Sequence, residues 1–403
     1  MVEGKERLET GLANARLAAL QPLEQIGIVV DAPHPVPDLG EEGGHDQALP
    51  TATDDAYPHE SPPESHGRIG SDGTIDPRSR RRARAPKNPV RVATGRLGRM
   101  PDFEVVVPAT SANMGPGFDC LGLALPLHNR FRVAIAPAGG PTYRLVGEGS
   151  AEPLDAGRNL FRVAAERLAA EVGASLPPLA VVCEAAIPLG RGLGSSASAV
   201  VGGLMAANHV LGEPLAQADL LRLATALEGH PDNVAPALLG GVCLAVQAEG
   251  GLVVERLPVT EAPGLVVAVP AFELSTAIAR AALPSLVPHA DAVYNVGRAA
   301  LLVAALFSGR YERLAEALAD RLHQPYRAPL VPGMAEVTRA AREAGAWGTT
   351  LSGAGPTLLA WCPVEGRDAV ARAMAEAWAE AGIVARAFPS AIAAQGATIH
   401  PAA

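Results

Sequence analysis

"PLGRGLGSSAS", residues Pro188 to Ser198, sets three glycines at alternate positions ahead of two serines and a long run of small residues. Glycine reaches backbone conformations closed to other residues and lets N–H groups come close to an anion. The continuation "SSASAVVGGLMAANHVLG" is helical in character, and a helix N-terminus adds partial positive charge at that point. The stretch is therefore either a tight strand-to-helix turn or a phosphate cradle. It lacks the GxxxxGK[ST] spacing of a Walker A loop. The chain's only lysines are Lys5 and Lys87, both ahead of the segment that reads as folded. No lysine there can clamp a phosphate or form a Schiff base. Any nucleotide phosphate must be met by backbone dipoles, a metal ion and arginine.

The 403 residues suffice for two ordinary domains, and a 48% hydrophobic content predicts that most of the chain folds. A net charge of −9 argues against a nucleic-acid surface. Cys120, Cys183, Cys243 and Cys362 show no CxxC spacing and fit free thiols in a reducing compartment. No signal-peptide core opens the chain, and no 18 apolar residues run uninterrupted, so a cytoplasmic protein without a membrane span is expected.

Residues 1–99 are rich in Pro, Gly and acidic residues, then carry the basic run "RSRRRARAPK". That composition predicts a disordered tail, either merely solvated or touching an acidic partner. From "MPDFEVVVPATSANMG" onward strands and helices alternate: strands at "FEVVV", "RFRVAIA" and "LAVVCEA", helices at "NLFRVAAERLAAEVG" and "LAQADLLRLATALEG". After residue 256 the pattern restarts, with strands "GLVVAVP", "WGTTLSG", "PTLLAW" and "VARAF" and helices near 275–282, 289–307, 311–320, 333–344 and 366–382. Two α+β domains are expected, at 100–255 and 256–393, with 394–403 as a short tail.

Three motifs fall in a known order. "PLGRGLGSSASA" is similar to the central motif of the GHMP kinases, "PATSANMGPGFDCLGLAL" (108–125) resembles their N-terminal motif, and "TLSGAGPTLLA" (350–360) their C-terminal glycine motif. "EGHPDNVAPALLGG" (228–241) resembles the segment after the phosphate-loop helix in the homoserine kinase branch. The resemblance spans residues 103 to 390. It implies a ribosomal-protein-S5-like N-terminal domain and a ferredoxin-like C-terminal domain. It also implies phosphorylation of the L-homoserine side-chain hydroxyl by ATP, in threonine biosynthesis. Another GHMP small-molecule kinase and a non-catalytic metabolite-binding paralogue are the alternatives.

The resemblance also distributes roles. Pro188, Leu189, Gly190, Arg191, Gly192, Leu193, Gly194, Ser195, Ser196, Ala197 and Ser198 are expected to bind ATP. Ser196 and Glu228 are expected to hold Mg²⁺, whose oxygen preference both satisfy. Ser352, Gly353 and Gly355 form the glycine motif, with Ala354 where the family usually has Ser. A zwitterion needs a carboxylate for its ammonium and a guanidinium fork for its carboxylate. Asn113 and Asp119 are expected on the amino side, Arg280 and Arg327 on the carboxylate side, and Thr276, His230 and Asn233 near the hydroxyl. Asn233, His230, Glu228 and Arg280 are the expected catalytic set. Asp232 is a tempting base, but a mechanism without one is favoured. Arg191 either touches a phosphate or points into water. ATP and L-homoserine are the expected partners, with no nucleic acid and no membrane, and the chain is expected to act as a homodimer.

Overall fold

The computed structural model describes residues 102–136, 140–150, 159–259 and 261–402. The expected tail, 1–99, lies outside the described residues.

The N-terminal sheet contains β1 (Phe103–Ala112), β2 (Leu121–Ile135), β3 (Thr142–Gly147), β4 (Leu179–Ala185), β5 (Val242–Ala248), β6 (Gly251–Leu257) and a late strand, β11 (Thr398–Pro401). Its main path runs β11-β1-β2-β4-β3, with β5 and β6 extending from β2. All pairs are antiparallel except β3 with β4. Against one face lie α1 (Leu160–Glu171), α2 (Ser195–Val210), α3 (Gln217–Glu228) and α4 (Pro231–Leu239). Their apolar sides meet Val105, Val107, Phe131 and Val133 of the sheet.

The second sheet runs β10-β7-β9-β8, from β7 (Gly264–Pro270), β8 (Gly348–Leu351), β9 (Leu358–Cys362) and β10 (Ala385–Ser390). Between β7 and β8 come α5 (Thr276–Ala281), α6 (His289–Ser308), α7 (Leu314–Ala317), α8 (Gln324–Arg327) and α9 (Met334–Glu343); α10 (Arg367–Glu380) joins β9 to β10. An antiparallel sheet in this order is the ferredoxin-like arrangement that the resemblance implied. "GLVVAVP" is buried along its whole length because the strand has two covered faces. Leu265, Val267 and Val269 point to one core, Val266 and Ala268 to another, as the period of two demands.

The core on the first of those faces joins the two domains. It also takes Leu121, Leu123 and Leu125 of β2, Leu302 and Leu306 of α6, and Trp361. The β1–β2 pairing shifts register between Pro108 and Ala109. Such irregularities bend and twist a strand pair, and beyond it the buried residues serve the interdomain core rather than the helix layer.

One expectation needs correction. Residues 394–403 are not a tail: β11 pairs with β1 in the register Phe103↔Pro401 to Val106↔Thr398, closing the first sheet with the last strand. Within "HPDNVAPALLGG", Pro231–Leu239 form helix α4, with Pro231 in its first turn where a missing N–H costs nothing. Helix α6 is long and apolar enough to cross a membrane by length and composition, with a mean hydropathy of 1.4 and 22% of the relevant window buried. It carries Asp291, Asn295 and Arg298 and packs on the interdomain core through Leu302, Ala305 and Leu306.

Candidate active site

A cleft of about 420 Å³ opens where the four quoted motifs meet. The glycine loop between β4 and α2 forms its floor. Gly190, Gly192 and Gly194 all have left-handed backbones, with φ of 60°, 74° and 70°. The loop is pinned on several sides. Thr110 N–H donates to the Leu193 carbonyl at 3.1 Å, Leu274 N–H to that of Gly190 at 3.1 Å, and the Ser352 hydroxyl to that of Gly192 at 2.6 Å. A methyl group on Gly192 would collide with the Ser352 and Gly355 carbonyls, and one on Gly194 with the Thr110 hydroxyl. Close packing explains the glycines at 192 and 194, and the left-handed backbone the one at 190.

Helix α2 begins directly after the loop, and no side chain caps it. Its first N–H groups have no partner within the helix and sit at the positive end of a 16-residue dipole. Such an end is suited to an anion. Pro188 through Ser196 line the cleft, whereas Ala197 and Ser198 do not: both are fully buried in the helix layer. Arg191 lines the cleft, and its guanidinium is engaged by protein groups rather than left in water. It donates to the Leu189 and Ala271 carbonyls at 3.2 and 2.7 Å and pairs with Glu273 at 3.1 Å, tying the loop to the C-terminal domain.

Ser196 donates its hydroxyl to Glu228 Oε1 at 2.5 Å, so the last residue of α3 reaches the first turn of α2. Both line the cleft. Two adjacent oxygen donors without nitrogen or sulfur suit a hard cation such as Mg²⁺.

Across the cleft sits a cluster of charge. Arg280, on α5, holds Asp119 with two parallel hydrogen bonds of 2.9 and 3.1 Å. Burial opposes the Arg280 charge, but the hydrogen bond and charge of Asp119 outweigh it and raise its pKa. Asn113 and Asp119 both adopt left-handed backbones, with φ of 70° and 56°, tolerable for short polar side chains. Asn113 Oδ1 accepts from the Asp119 N–H at 2.9 Å while its amide donates to the Gly353 carbonyl at 2.9 Å, linking the first motif to the third. Arg327 is 2% exposed and has no carboxylate partner among the described residues. Its guanidinium donates to the Ala279 and Gly353 carbonyls at 3.1 and 3.2 Å. Burial, and then the Arg280 charge, lower its pKa. The Phe118 ring lies beside both, 5.8 Å from Arg280 and 5.2 Å from Arg327.

Between the loop and this cluster stand His230, Asp232 and Asn233. Asp232 is 1% exposed and bonded to His230 Nδ1. Burial works against a charged His230 ring, yet the Asp232 hydrogen bond and charge raise its pKa above the usual value. Asn233 accepts at Oδ1 from the Thr110 hydroxyl at 2.7 Å, which leaves its amide toward the cleft. Thr276 and Gly353 complete the lining; Ser352 and Gly355 stand behind the loop as supports. Cys120 lies near this cluster, but burial, followed by Asp232 and Asp119, pushes its thiol up to about 11, so it is no nucleophile.

Sequence reasoning missed the other arm of the cleft, lined by Tyr143, Leu145, Leu160, Phe161 and Val181. It also missed Asn129, which accepts from the N–H groups of Ala186 and Ile187 at 3.0 Å and aims the chain into the loop. Asp320 was missed as well. It accepts from Leu322, His323 and Gln324 N–H groups and starts the turn that delivers Arg327. Only Asp320 had a local signal, as an Asp whose side chain can bond backbone N–H groups of the turn that follows it.

Fold and cleft together define a GHMP-type kinase. The family model described as GHMP kinases N terminal domain matches residues 159–241, and GHMP kinases C terminal matches 302–380. A homoserine kinase of Gloeobacter violaceus is 50% identical over 283 residues, covering 69% of this chain and 93% of that protein. One of Moorella thermoacetica is 48% identical over 282 residues, covering 69% and 93%. The crystal structure of homoserine kinase from Cytophaga hutchinsonii superposes with a TM-score of 0.68 at 30% identity, over 75% of this chain and 98% of that one. The chain belongs to the homoserine kinases within the GHMP kinase family.

Proposed function

We propose that the cleft moves the γ-phosphoryl group of ATP onto the side-chain hydroxyl of L-homoserine, giving O-phospho-L-homoserine, as a cytoplasmic step of threonine biosynthesis. The observation that carries this is a single pairing of subsites. An anion cradle at the α2 N-terminus faces two guanidiniums and a carboxylate, the complement of a small zwitterion.

The apolar arm beside Tyr143 and Leu145 takes the nucleotide base, and the loop backbone takes the phosphates. Ser196 and Glu228 would hold a magnesium ion. When bound, that ion neutralises charge on the transferring phosphates, in a site with no lysine to do so. Arg280 and Arg327 bind the substrate carboxylate, Asp119 and Asn113 the amino end. Thr276, His230 and the Asn233 amide orient the hydroxyl, fixed from behind by Thr110. Asp232 is occupied by His230, so the hydroxyl proton passes to an oxygen of the γ-phosphoryl group as the new O–P bond forms and the bond to ADP breaks. It ends on the product phosphate or in solvent. Catalysis then rests on alignment and on charge stabilisation.

The test compares two substrates on two proteins. Removing one member of a hydrogen-bonded charge pair costs about 2–5 kcal/mol, which is roughly 30-fold to several-thousand-fold in affinity. Arg280→Leu should raise the KM for homoserine by that factor and leave the KM for ATP nearly unchanged. 3-Aminopropan-1-ol, which lacks the carboxylate, should bind poorly to the unaltered protein and lose little more on the variant. Equal weakening of both substrates would refute the carboxylate role.

A further inference from the structure

The two groups assigned to opposite poles of the substrate are bonded to each other across the cleft. Arg280 reaches both oxygens of Asp119, at 2.9 and 3.1 Å, with the side chains 34% and 35% exposed. Each is also held independently of the other. Asp119 is fixed by its backbone N–H on Asn113 Oδ1, and Arg280 stands on α5 beside the Phe118 ring. Arg327 differs, since no carboxylate among the described residues holds it.

We propose that the Asp119–Arg280 ion pair makes the subsite select for two charges presented together. This rests on the zwitterion reading given above. A ligand carrying both an ammonium and a carboxylate gives each member of the pair a new partner when it enters. A ligand with one charge must leave the pair shut or strand one of its members, and stranding a half-buried charge is costly. A lone carboxylate meets an added obstacle, because Asp119 lies within hydrogen-bond reach of the guanidinium that should receive it. Discrimination against singly charged analogues thus exceeds what one lost contact would give. It depends on Asp119 even for ligands that make no contact with Asp119.

The diagnostic ligand is 4-hydroxybutanoate, homoserine without its amino group. In the full chain, Asp119→Asn keeps a short polar side chain at the left-handed position and frees Arg280. By calorimetry without nucleotide, it should weaken L-homoserine by about tenfold or more and tighten 4-hydroxybutanoate by about tenfold. Weaker or unchanged binding of 4-hydroxybutanoate overturns the proposal. A second measurement needs no variant: methylammonium, supplying the missing charge, should tighten 4-hydroxybutanoate on the unaltered protein severalfold. If Asp119→Asn does not fold, this result decides alone, and no tightening overturns the proposal. Arg280→Leu separates the two levels. If it leaves homoserine affinity intact, the zwitterion reading itself fails; if it weakens homoserine but Asp119→Asn brings no gain, only the paired-charge selection fails.

Discussion

Ser196, in the first turn of α2, and Glu228, the last residue of α3, share a 2.5 Å hydrogen bond across the mouth of the glycine loop. The contact joins two helices at the pair proposed to hold the metal ion. Glu228→Gln keeps the shape and removes the charge. It should lower kcat by about a hundredfold or more, while homoserine binding measured by calorimetry without nucleotide stays within about twofold. Ser196→Ala should respond less and share the same direction. If raising magnesium affects both variants and the unaltered protein alike, the pair does not hold the metal.

Gly192 is the loop glycine most tightly enclosed by the C-terminal domain. Gly192→Ala must place a side chain at φ 74° against the Ser352 and Gly355 carbonyls. The melting temperature should fall by several degrees, for a loss of roughly 1–3 kcal/mol, and the KM for ATP should rise. Ser352→Ala removes only the hydroxyl bond to Gly192 and should cost about 1 kcal/mol. A Gly192→Ala protein with unchanged melting temperature and ATP affinity would contradict the described loop.

Arg327 carries a buried charge without a carboxylate partner among the described residues. Arg327→Met should therefore raise the homoserine KM at least about tenfold while the melting temperature falls little or rises, since an isolated buried charge is costly to fold around. A large loss of stability with an unchanged KM would mean that Arg327 serves packing alone.

The two chain ends should behave oppositely. A chain starting at Met100 should keep turnover within about twofold, because the Pro-, Gly- and charge-rich segment before it resembles no part of the kinase domains. A chain ending at Gln395 loses β11 and its pairing with β1, and should melt several degrees lower. A truncation at either end with the reverse effect would refute the corresponding half.

Much of the fold was legible in the sequence, and the pattern of failures is physical. "GLVVAVP" and "LAVVCEA" read as strands because a buried strand concentrates β-branched residues. β11, "TIHP", has no such signal: four residues on a sheet edge are specified by what they pair with. "HPDNVAPALL" hid its helix behind two prolines, one in the first turn and Pro236 inside. In the site, Asn113, Asp119, Arg280 and Arg327 were found because motif wording placed them, and the structure brings them to one cleft. Thr110 and Asn129 act on partners 123 and 57 residues away. Contacts at such separations leave no local mark, whereas Asp320 works within its own turn, on partners 2 to 4 residues on. Arg191 was open between phosphate and solvent because its partners, Ala271 and Glu273, lie 80 residues on in another domain.

Phosphoryl transfer itself is the most direct test. The full chain, ATP and magnesium are incubated in turn with L-homoserine, mevalonate, galactose and shikimate, and the phosphorylated product is followed by phosphorus NMR. A phosphomonoester on the homoserine side chain, formed at least about a hundredfold faster than any product from the other acceptors, is the result that the Arg280, Arg327 and Asp119 cluster predicts. Phosphorylation of a neutral sugar at an equal or greater rate, or none of homoserine, would contradict it.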